Sequence, residues 1–380
     1  MKNDRAGLYI HIPFCLSKCG YCSFYSTSST HLIPEFIKAI SHEMAFYKNI
    51  FPAFDTIYFG GGTPSLLSIQ QIGDLLKAAN RSFNIDRQAE ITMEVNPGDV
   101  SLEYFQRLRK LGINRLNIGI QSFDDQVLKF LGRRHTSKEA VFAFDAARKA
   151  GFDNIGVDLI YGVSGQDIDA WKQTVKEALS FFPEHLSCYQ LSLDEKTPLY
   201  RQYKKEGLKL TVENEALDFF MTTSQALTDA GYIHYEVSNF ARTDSLKSRH
   251  NIKYWRHTPY LGLGPAAHSF LERKRWWSRA AVNAYLKDIS EGKKPVDKSE
   301  QLSLEQLALE QLALEAFFLG MRTKDGIDLE QYKTRYGSDL LTEKSLIINE
   351  LIKNELVEVK GGRFYPTLAG MAVADSLALI

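Results

Sequence analysis

Cysteine is scarce in this chain and unevenly placed. The 380 residues contain four cysteines, and three of them lie between positions 15 and 22. A disulfide framework needs more cysteines spread along the chain, so this class of secreted protein is excluded. Clustered thiols that hold a metal centre need a reducing compartment, which predicts a cytoplasmic protein.

Long apolar runs and an excess of one charge are also missing. No stretch of about 18 consecutive apolar residues occurs, so we expect no stable membrane insertion. The first residues, MKNDRAGLYIHIPF, lack the apolar core of a signal peptide, which again favours the cytoplasm. Lys and Arg together number 46, as do Asp and Glu, and this balance argues against nucleic acid as a partner.

The clustered cysteines have the spacing Cys15-x3-Cys19-x2-Cys22. The preceding segment, 8–14, alternates apolar and β-branched residues and is predicted to be a strand, which places the cysteines in the loop at a strand end. Structural zinc usually takes four protein ligands, and no His or Cys completes such a set nearby. Three thiolates instead suit a [4Fe-4S] cluster in which one iron has no protein ligand and can bind a further molecule.

Six strand-then-helix units follow one another over residues 8–191. Such alternation predicts an α/β fold with a parallel sheet and right-handed crossovers, curled into a full or partial barrel. In barrels of this kind the C-terminal ends of the strands carry the chemistry. Polar or glycine residues stand at or just after the predicted strand ends, namely Cys15, Gly62, Thr63, Glu94, Gln121 and Asp158.

The segment SEGKKP at 290–295 is charged and contains both glycine and proline. It predicts a boundary between a first domain, 1–290, and a second, 296–380. In the second, the tandem repeat EQLAL predicts a core-packing helix over 303–319, with Leu307, Leu314 and Phe318 on one side. Helices followed by a hairpin are similar to a winged-helix arrangement. Because no basic excess marks this region, a lid or packing domain is favoured over a nucleic-acid-binding one.

The cysteine motif, with the aromatic Tyr21 before its last cysteine, resembles the radical S-adenosylmethionine (SAM) superfamily. Its members hold a [4Fe-4S] cluster, and the amino and carboxylate groups of SAM chelate the open iron. The resemblance implies a partial (β/α)6, TIM-like barrel with a smaller C-terminal domain over its mouth. It also implies Cys15, Cys19 and Cys22 as metal ligands, and as SAM-binding or cluster-lining residues Tyr9, Tyr21, Gly62, Thr63, Glu94, Gln121, Arg133 and Asp158.

Over nearly its full length the chain is similar to the coproporphyrinogen dehydrogenase-like branch of this superfamily, and within it to the haem-chaperone group. The segment HNIKYW at 250–255 matches the HNxxYW motif that distinguishes this group and has been linked to haem. Imidazole is a good axial haem ligand, and Tyr and Trp offer flat apolar walls for a porphyrin. His250 and Tyr254 are the predicted haem-binding residues, and the iron ligand stays open among His250, Tyr254 and His268.

Two features separate the chain from the true dehydrogenases of this branch. Those enzymes carry a fourth cysteine two places after the third, where this chain has Phe24, and an N-terminal extension, where only 14 residues precede Cys15 here. Phe24 can pack but cannot supply a thiolate. Oxidative decarboxylation of coproporphyrinogen III is therefore disfavoured, although it stays an alternative, as does a radical SAM methyltransferase.

The resemblance as a whole predicts a haem chaperone on a radical SAM scaffold. Its cofactors would be a [4Fe-4S] cluster, SAM and haem. It would deliver haem to acceptor proteins, respiratory ones among the candidates. A homodimer and the cleavage of SAM both stay open.

Overall fold

Six parallel strands, in chain order, form the middle of a 12-stranded sheet in the computed structural model, which describes residues 5–207, 213–301 and 306–377. These strands are β1 (Ala6–Ile12), β2 (Phe54–Gly61), β3 (Ile85–Val95), β4 (Arg115–Gln121), β5 (Ile155–Tyr161) and β6 (His185–Gln190). Each pairs in parallel with the next. This order confirms the predicted α/β fold with a partial (β/α)6 barrel.

The strand sequences are nearly continuous apolar runs because both faces of a parallel sheet are covered. All residues of β1 except Tyr9 are buried, and so are all residues of β5 except Asp158. Both exceptions face the interior of the barrel. The polar side chains that break the apolar pattern are therefore the ones that line this interior.

The helices between the strands cover the outside of the sheet. They are α1 (Ile33–Phe46), α2 (Ile69–Ser82), α3 (Leu102–Lys110), α4 (Asp125–Phe130), α5 (Ser137–Lys149) and α6 (Ile168–Ser180). A capping box starts α2, since the Ser68 amide donates to Gln71 Oε1 at 2.8 Å and the Gln71 amide donates to Ser68 Oγ at 3.3 Å. Local chemistry thus fixes where this helix begins.

Further strands extend the sheet at both edges. Next to β6 lie the antiparallel strands β7 (Ile233–Glu236) and β8 (Asn239–Ala241). Beside β1 runs the parallel β9 (Tyr260–Leu263), followed by the antiparallel β10 (His268–Leu271), β11 (Lys274–Ser278) and β12 (Val296–Gln301). The helices in this part are α7 (Pro198–Glu206), α8 (Glu213–Asp229), α9 (Arg249–Trp255) and α10 (Val282–Ser290). The boundary at 290–295 stays a prediction, and β12 beyond it still belongs to the main sheet.

The C-terminal part is a smaller helical unit with its own apolar core. Its elements are α11 (Gln306–Met321), β13 (Ile327–Asp328), α12 (Leu329–Tyr336), α13 (Leu340–Glu343), α14 (Ser345–Lys353), β14 (Val357–Lys360), β15 (Arg363–Pro366), α15 (Leu368–Ala372) and α16 (Ala374–Leu377). The hairpin of β14 and β15 turns at Gly361 and Gly362, which both have positive φ, so the winged-helix-like arrangement is confirmed. Among the described residues, no helix combines the length and the apolar character needed to cross a membrane.

The buried side of α11 differs from the prediction. Residues 302–305 and the side chain of Leu307 lie outside what the structure describes. Leu314 was expected to pack inward but is 52% exposed. Among the described side chains of this helix, the buried apolar ones are Leu312, Ala313, Phe317 and Met321. The repeat places apolar residues around the whole helix, so spacing alone does not select the buried face.

Candidate functional site

The loop after β1 carries the three predicted metal ligands at the C-terminal end of the barrel. Cys15, Cys19 and Cys22 are half-buried and their thiols are free. Backbone hydrogen bonds fix the base of the loop: the Cys15 amide donates to the Thr27 carbonyl at 3.0 Å, and the Thr27 amide donates to the Pro13 carbonyl at 2.7 Å. The thiols are therefore presented by an anchored loop and remain reachable.

Two side chains from other parts of the barrel donate to these thiols. Thr63 Oγ1 lies 3.4 Å from Cys15 Sγ, and Arg133 Nη1 lies 3.5 Å from Cys19 Sγ. The thiolate is the form of cysteine that binds metal, and both donors can hydrogen-bond to a metal-bound sulfur. Within the described ranges, no three His, Cys, Asp or Glu side chains are placed to hold a single metal ion. A cubane needs no such group, because three of its irons take one cysteine each and the fourth takes no protein ligand, so the donor set fits a cluster.

The glycine-rich turn after β2 is pressed against the base of this loop. The Gly62 amide donates to the Ile12 carbonyl at 2.8 Å. A Cβ on Gly62 would lie 2.7 Å from the Phe14 carbonyl oxygen, and one on Gly61, where φ is +110°, would lie 2.5 Å from the His11 ring. Both positions therefore require glycine for the turn to approach the loop.

Two carboxyl groups lie inside the barrel near this end. Glu94, in β3, accepts from the Tyr58 hydroxyl at 2.9 Å and from the Gly61 amide at 3.1 Å. Its surroundings of low polarity, and then the charge of Asp158, raise the pKa of Glu94 to about 7. Burial likewise raises the pKa of Asp158. Both side chains keep some exposed surface within the barrel, so a cationic ligand could reach them and offset their charge.

Asp158 and Arg133 each have a buried atom without a hydrogen-bond partner, Oδ1 and Nε respectively. Their other polar atoms are paired: Asn117 donates to Asp158 Oδ2 at 2.6 Å, and Arg133 Nη2 donates to Asn96 Oδ1 and the Gly119 carbonyl, both at 2.8 Å. Buried polar atoms are normally paired, so these two mark where a polar ligand could bind. An unpaired acceptor and an unpaired donor suit a ligand that bears both charges, such as an amino acid derivative.

Gln121 ends β4 with a φ of +68°, at the point where the register between β4 and β5 shifts. A residue other than glycine in this left-handed conformation is strained, and such residues cluster at functional sites. Its side chain folds back over Gly119, since a Cβ there would lie 2.9 Å from Gln121 Nε2. The predicted strand end is therefore also a place of local strain.

Tyr21 lies between the second and third cysteines. It lies beside the Arg133 guanidinium, and its ring packs against the apolar cluster of Leu131, Ile160 and Val163. The aromatic residue that the motif carries thus ties the cysteine loop to the strand ends next to it.

The HNxxYW segment forms α9, which lies at the opposite end of the barrel from the cysteines. Lys253 Nζ donates to the Arg5 carbonyl at 2.7 Å and pairs with Asp55 at 2.6 Å. The Glu90 carboxylate accepts from the first amides of the helix, including that of His250 at 3.1 Å. Arg5 precedes β1, Asp55 stands near the start of β2, and Glu90 pairs in the sheet with Thr56 at the same level. The helix α9 therefore closes the floor of the barrel.

His250 points from α9 into the barrel and is buried. Its Nδ1 lies 2.8 Å from Thr56 Oγ1, and its Nε2 lies 2.9 Å from the Tyr254 hydroxyl. The ring stacks on Tyr58, with 5.0 Å between ring centroids. Coordination of iron by His250 would break one of these hydrogen bonds. The haem roles of His250 and Tyr254 stay predictions.

Tyr9 lies in the same interior. Its ring centroid is 6.1 Å from that of Tyr58 and 6.2 Å from that of His250, and its hydroxyl is 3.1 Å from His11 Nδ1. The third candidate for the iron ligand, His268, is exposed on β10 instead. The structure thus brings the predicted SAM residues Gly62, Thr63, Glu94 and Gln121 to one end of the barrel and the residues of α9 to the other end. Tyr9 and Asp158, which were also predicted to bind SAM, lie in the middle of their strands.

Several lining residues were missed from the sequence, and strand periodicity could have found them. Thr56 and Tyr58 alternate with apolar positions in β2, and Asn117 precedes Gln121 in β4 by four residues. Side chains two or four positions apart in a strand share a face. The predicted residue at each strand end therefore indicates which earlier residues also face the interior.

Comparison with known proteins agrees with this geometry. The Radical SAM superfamily model matches residues 9–178, and the HemN C-terminal domain model matches 307–373. The heme chaperone HemW of Bacillus subtilis is 31% identical over 97% of each chain. That of Lactococcus lactis is 33% identical over 97% of this chain and 95% of its own.

A solved structure shares the whole fold. Coproporphyrinogen III oxidase (HemN) from Escherichia coli, a radical SAM enzyme, matches with a TM-score of 0.84 over 99% of this chain and 89% of its own, at 23% identity. That likeness concerns the fold alone. Identity above 30% to curated relatives over nearly the full length settles the family, and this chain belongs to the HemW family of the radical SAM superfamily.

Proposed function

We propose that this chain is a haem chaperone that binds a [4Fe-4S] cluster and SAM in the barrel, binds haem as its cargo and passes it to acceptor proteins. The observation that carries the cluster site is the anchored three-cysteine loop, with Thr63 and Arg133 donating to its sulfurs. The haem role is supported by relatives that are named heme chaperones.

The SAM site is proposed at the strand ends beside the cysteine loop. When bound there, the cluster supplies an open iron for the amino and carboxylate groups of SAM and an electron source. Glu94 and Asp158 offer carboxylates to ribose hydroxyls or an ammonium group, and Arg133 offers a guanidinium to a carboxylate. The other proposed contacts are Tyr9, Tyr21, Gly62, Thr63 and Gln121.

SAM affinity is expected to rise with pH through neutrality. Because the pKa of Glu94 is raised to about 7, its carboxyl is mostly protonated at pH 6 and mostly ionised at pH 8. If only the carboxylate form binds well, the dissociation constant falls about tenfold between these pH values. Equilibrium dialysis of the reconstituted protein with SAM at each pH measures this dissociation constant. Glu94→Gln should remove this part of the pH dependence, and an unchanged slope in that variant would contradict the role of Glu94.

The proposed function is tested by anaerobic reconstitution of the cluster, followed by a haem titration and a coproporphyrinogen III turnover assay with SAM and a reductant. We expect tight haem binding and no decarboxylated product. Phe24, at the position of the fourth cysteine of the dehydrogenases, is 63% exposed and offers no thiolate. Decarboxylated product with weak haem binding would overturn the proposal and establish the dehydrogenase alternative.

A further inference from the structure

A cavity of about 720 Å³ lies between α9 and the C-terminal unit. Its volume falls within the range of about 300–1,000 Å³ that is usual for small-molecule sites. Ile252 and Trp255 of α9 line it, whereas His250 and Tyr254 of the same helix face the barrel. The floor helix therefore separates the barrel interior from a second compartment.

The walls of this cavity combine aromatic rings with positive charge. Trp255, Tyr332 and Tyr336 contribute rings. Trp255 also has a buried Nε1 with no hydrogen-bond partner. A flat, conjugated ligand would contact these surfaces well, and a polar group on it could accept from the indole N–H.

The charged lining is cationic on balance. Arg256 and Arg363 pair with the lining acids Asp325 and Asp328, at 3.6 Å and 3.3 Å. Arg335 also lines the cavity, and it donates to a neutral acceptor, the His257 carbonyl, at 2.9 Å. Arginine binds carboxylates with two parallel hydrogen bonds, so this rim suits a ligand with carboxylate groups.

We infer that this cavity is where haem binds, with the porphyrin ring against Trp255 and the propionate carboxylates toward Arg335 and its neighbouring arginines. The inference rests on the proposed function and adds the location at which haem binds. It also assigns two separate roles to residues of the HNxxYW segment. His250 and Tyr254 anchor α9 inside the barrel, and Trp255 and Ile252 on its other side form a wall of the haem site.

Filling the cavity tests this assignment without touching the motif. Ala316 lies on α11 and lines the cavity, whereas Gln311 on the same helix is exposed and does not. In Ala316→Phe we expect haem affinity to fall about tenfold or more, with cluster content and SAM affinity unchanged. Gln311→Phe, which adds the same ring elsewhere on α11, should bind haem as the native protein does. Native haem affinity in Ala316→Phe would overturn the assignment.

A second variant tests carboxylate recognition. The native protein should bind haem more tightly than haem dimethyl ester, whose carboxylates are blocked, and Arg335→Gln should narrow this difference. An equal preference in the native protein and in Arg335→Gln would overturn the carboxylate role. Failure of the proposed function and failure of the cavity assignment give different results. If the native protein binds no haem, the proposed function fails; if it binds haem and these variants change nothing, the cavity assignment alone fails.

Discussion

A Cys22→Ala variant is expected to fold and to hold no iron–sulfur cluster after anaerobic reconstitution. It removes one of three thiolates, and the two that remain leave a cubane with two irons that lack protein ligands. Cys22 is only half-buried, so the loss of its sulfur should lower the free energy of unfolding by no more than about 1 kcal/mol. SAM binding should be lost as well, because the open iron is gone. Iron and sulfide content, visible absorbance and a SAM titration measure these effects.

Cys188→Ala makes the same chemical change at the fourth cysteine and serves as the matched control. Cys188 is buried in β6, and burial raises the pKa of its thiol, so it behaves as a small apolar side chain. We expect the Cys188→Ala protein to retain its full cluster content, while its free energy of unfolding falls by about 1–2 kcal/mol. A Cys22→Ala protein that keeps its cluster, or a Cys188→Ala protein that loses it, would contradict the assignment of the ligands.

The second large effect is expected on stability. His250→Ala should lower the free energy of unfolding by about 3 kcal/mol, because it leaves a cavity and removes the hydrogen-bond partner of both Thr56 Oγ1 and the Tyr254 hydroxyl. Denaturant titration measures the change. His268→Ala, at an exposed histidine, should stay within about 0.5 kcal/mol of the native protein.

The same variant separates a ligand from an anchor. If His250 anchors α9, the haem that His250→Ala still binds should show native absorption and electron paramagnetic resonance spectra, with weaker affinity. If His250 is the axial ligand, the spectra of the bound ferric haem should change. A changed spectrum with native stability would reject the anchoring role, and native affinity and spectrum would argue against any haem role for this residue.

The sequence was sufficient to predict the barrel and most of the residues at the C-terminal ends of its strands. Parallel strands are apolar on both faces and are separated by amphipathic helices, so period and order predict the topology. A strand end is also a fixed place in such a fold. Glu94 and Gln121 could therefore be assigned to one end of the barrel from the sequence alone, whereas Asp158 lies in the middle of β5 and not at its end as predicted.

What the sequence left undetermined depends on contacts between distant residues. Nothing local to His250 indicates that it meets Thr56, which precedes it by 194 positions. The haem-linked segment was expected to present its histidine to a ligand, and only the packing of α9 under the strands shows that it faces inward. The cavity also depends on contacts between distant residues, because its lining residues come from two segments, 235–258 and 316–363. The spacing of residues along one segment carries no information about such long-range contacts.

The pairing of β1 bears on the order in which the protein is made. This strand lies between β2 and β9, where Gly7 pairs with Tyr260, and the Val282 amide donates at 2.8 Å to the hydroxyl of Tyr25 in the cysteine loop, 257 positions away. Residues 6–27 are thus held in part by segments that leave the ribosome more than 200 residues later. In a nascent chain that ends before Tyr260, the loop with the three thiols follows a strand that only β2 can pair with. We therefore expect the proposed metal centre to assemble in its native surroundings only after residues 260–282 have been synthesised.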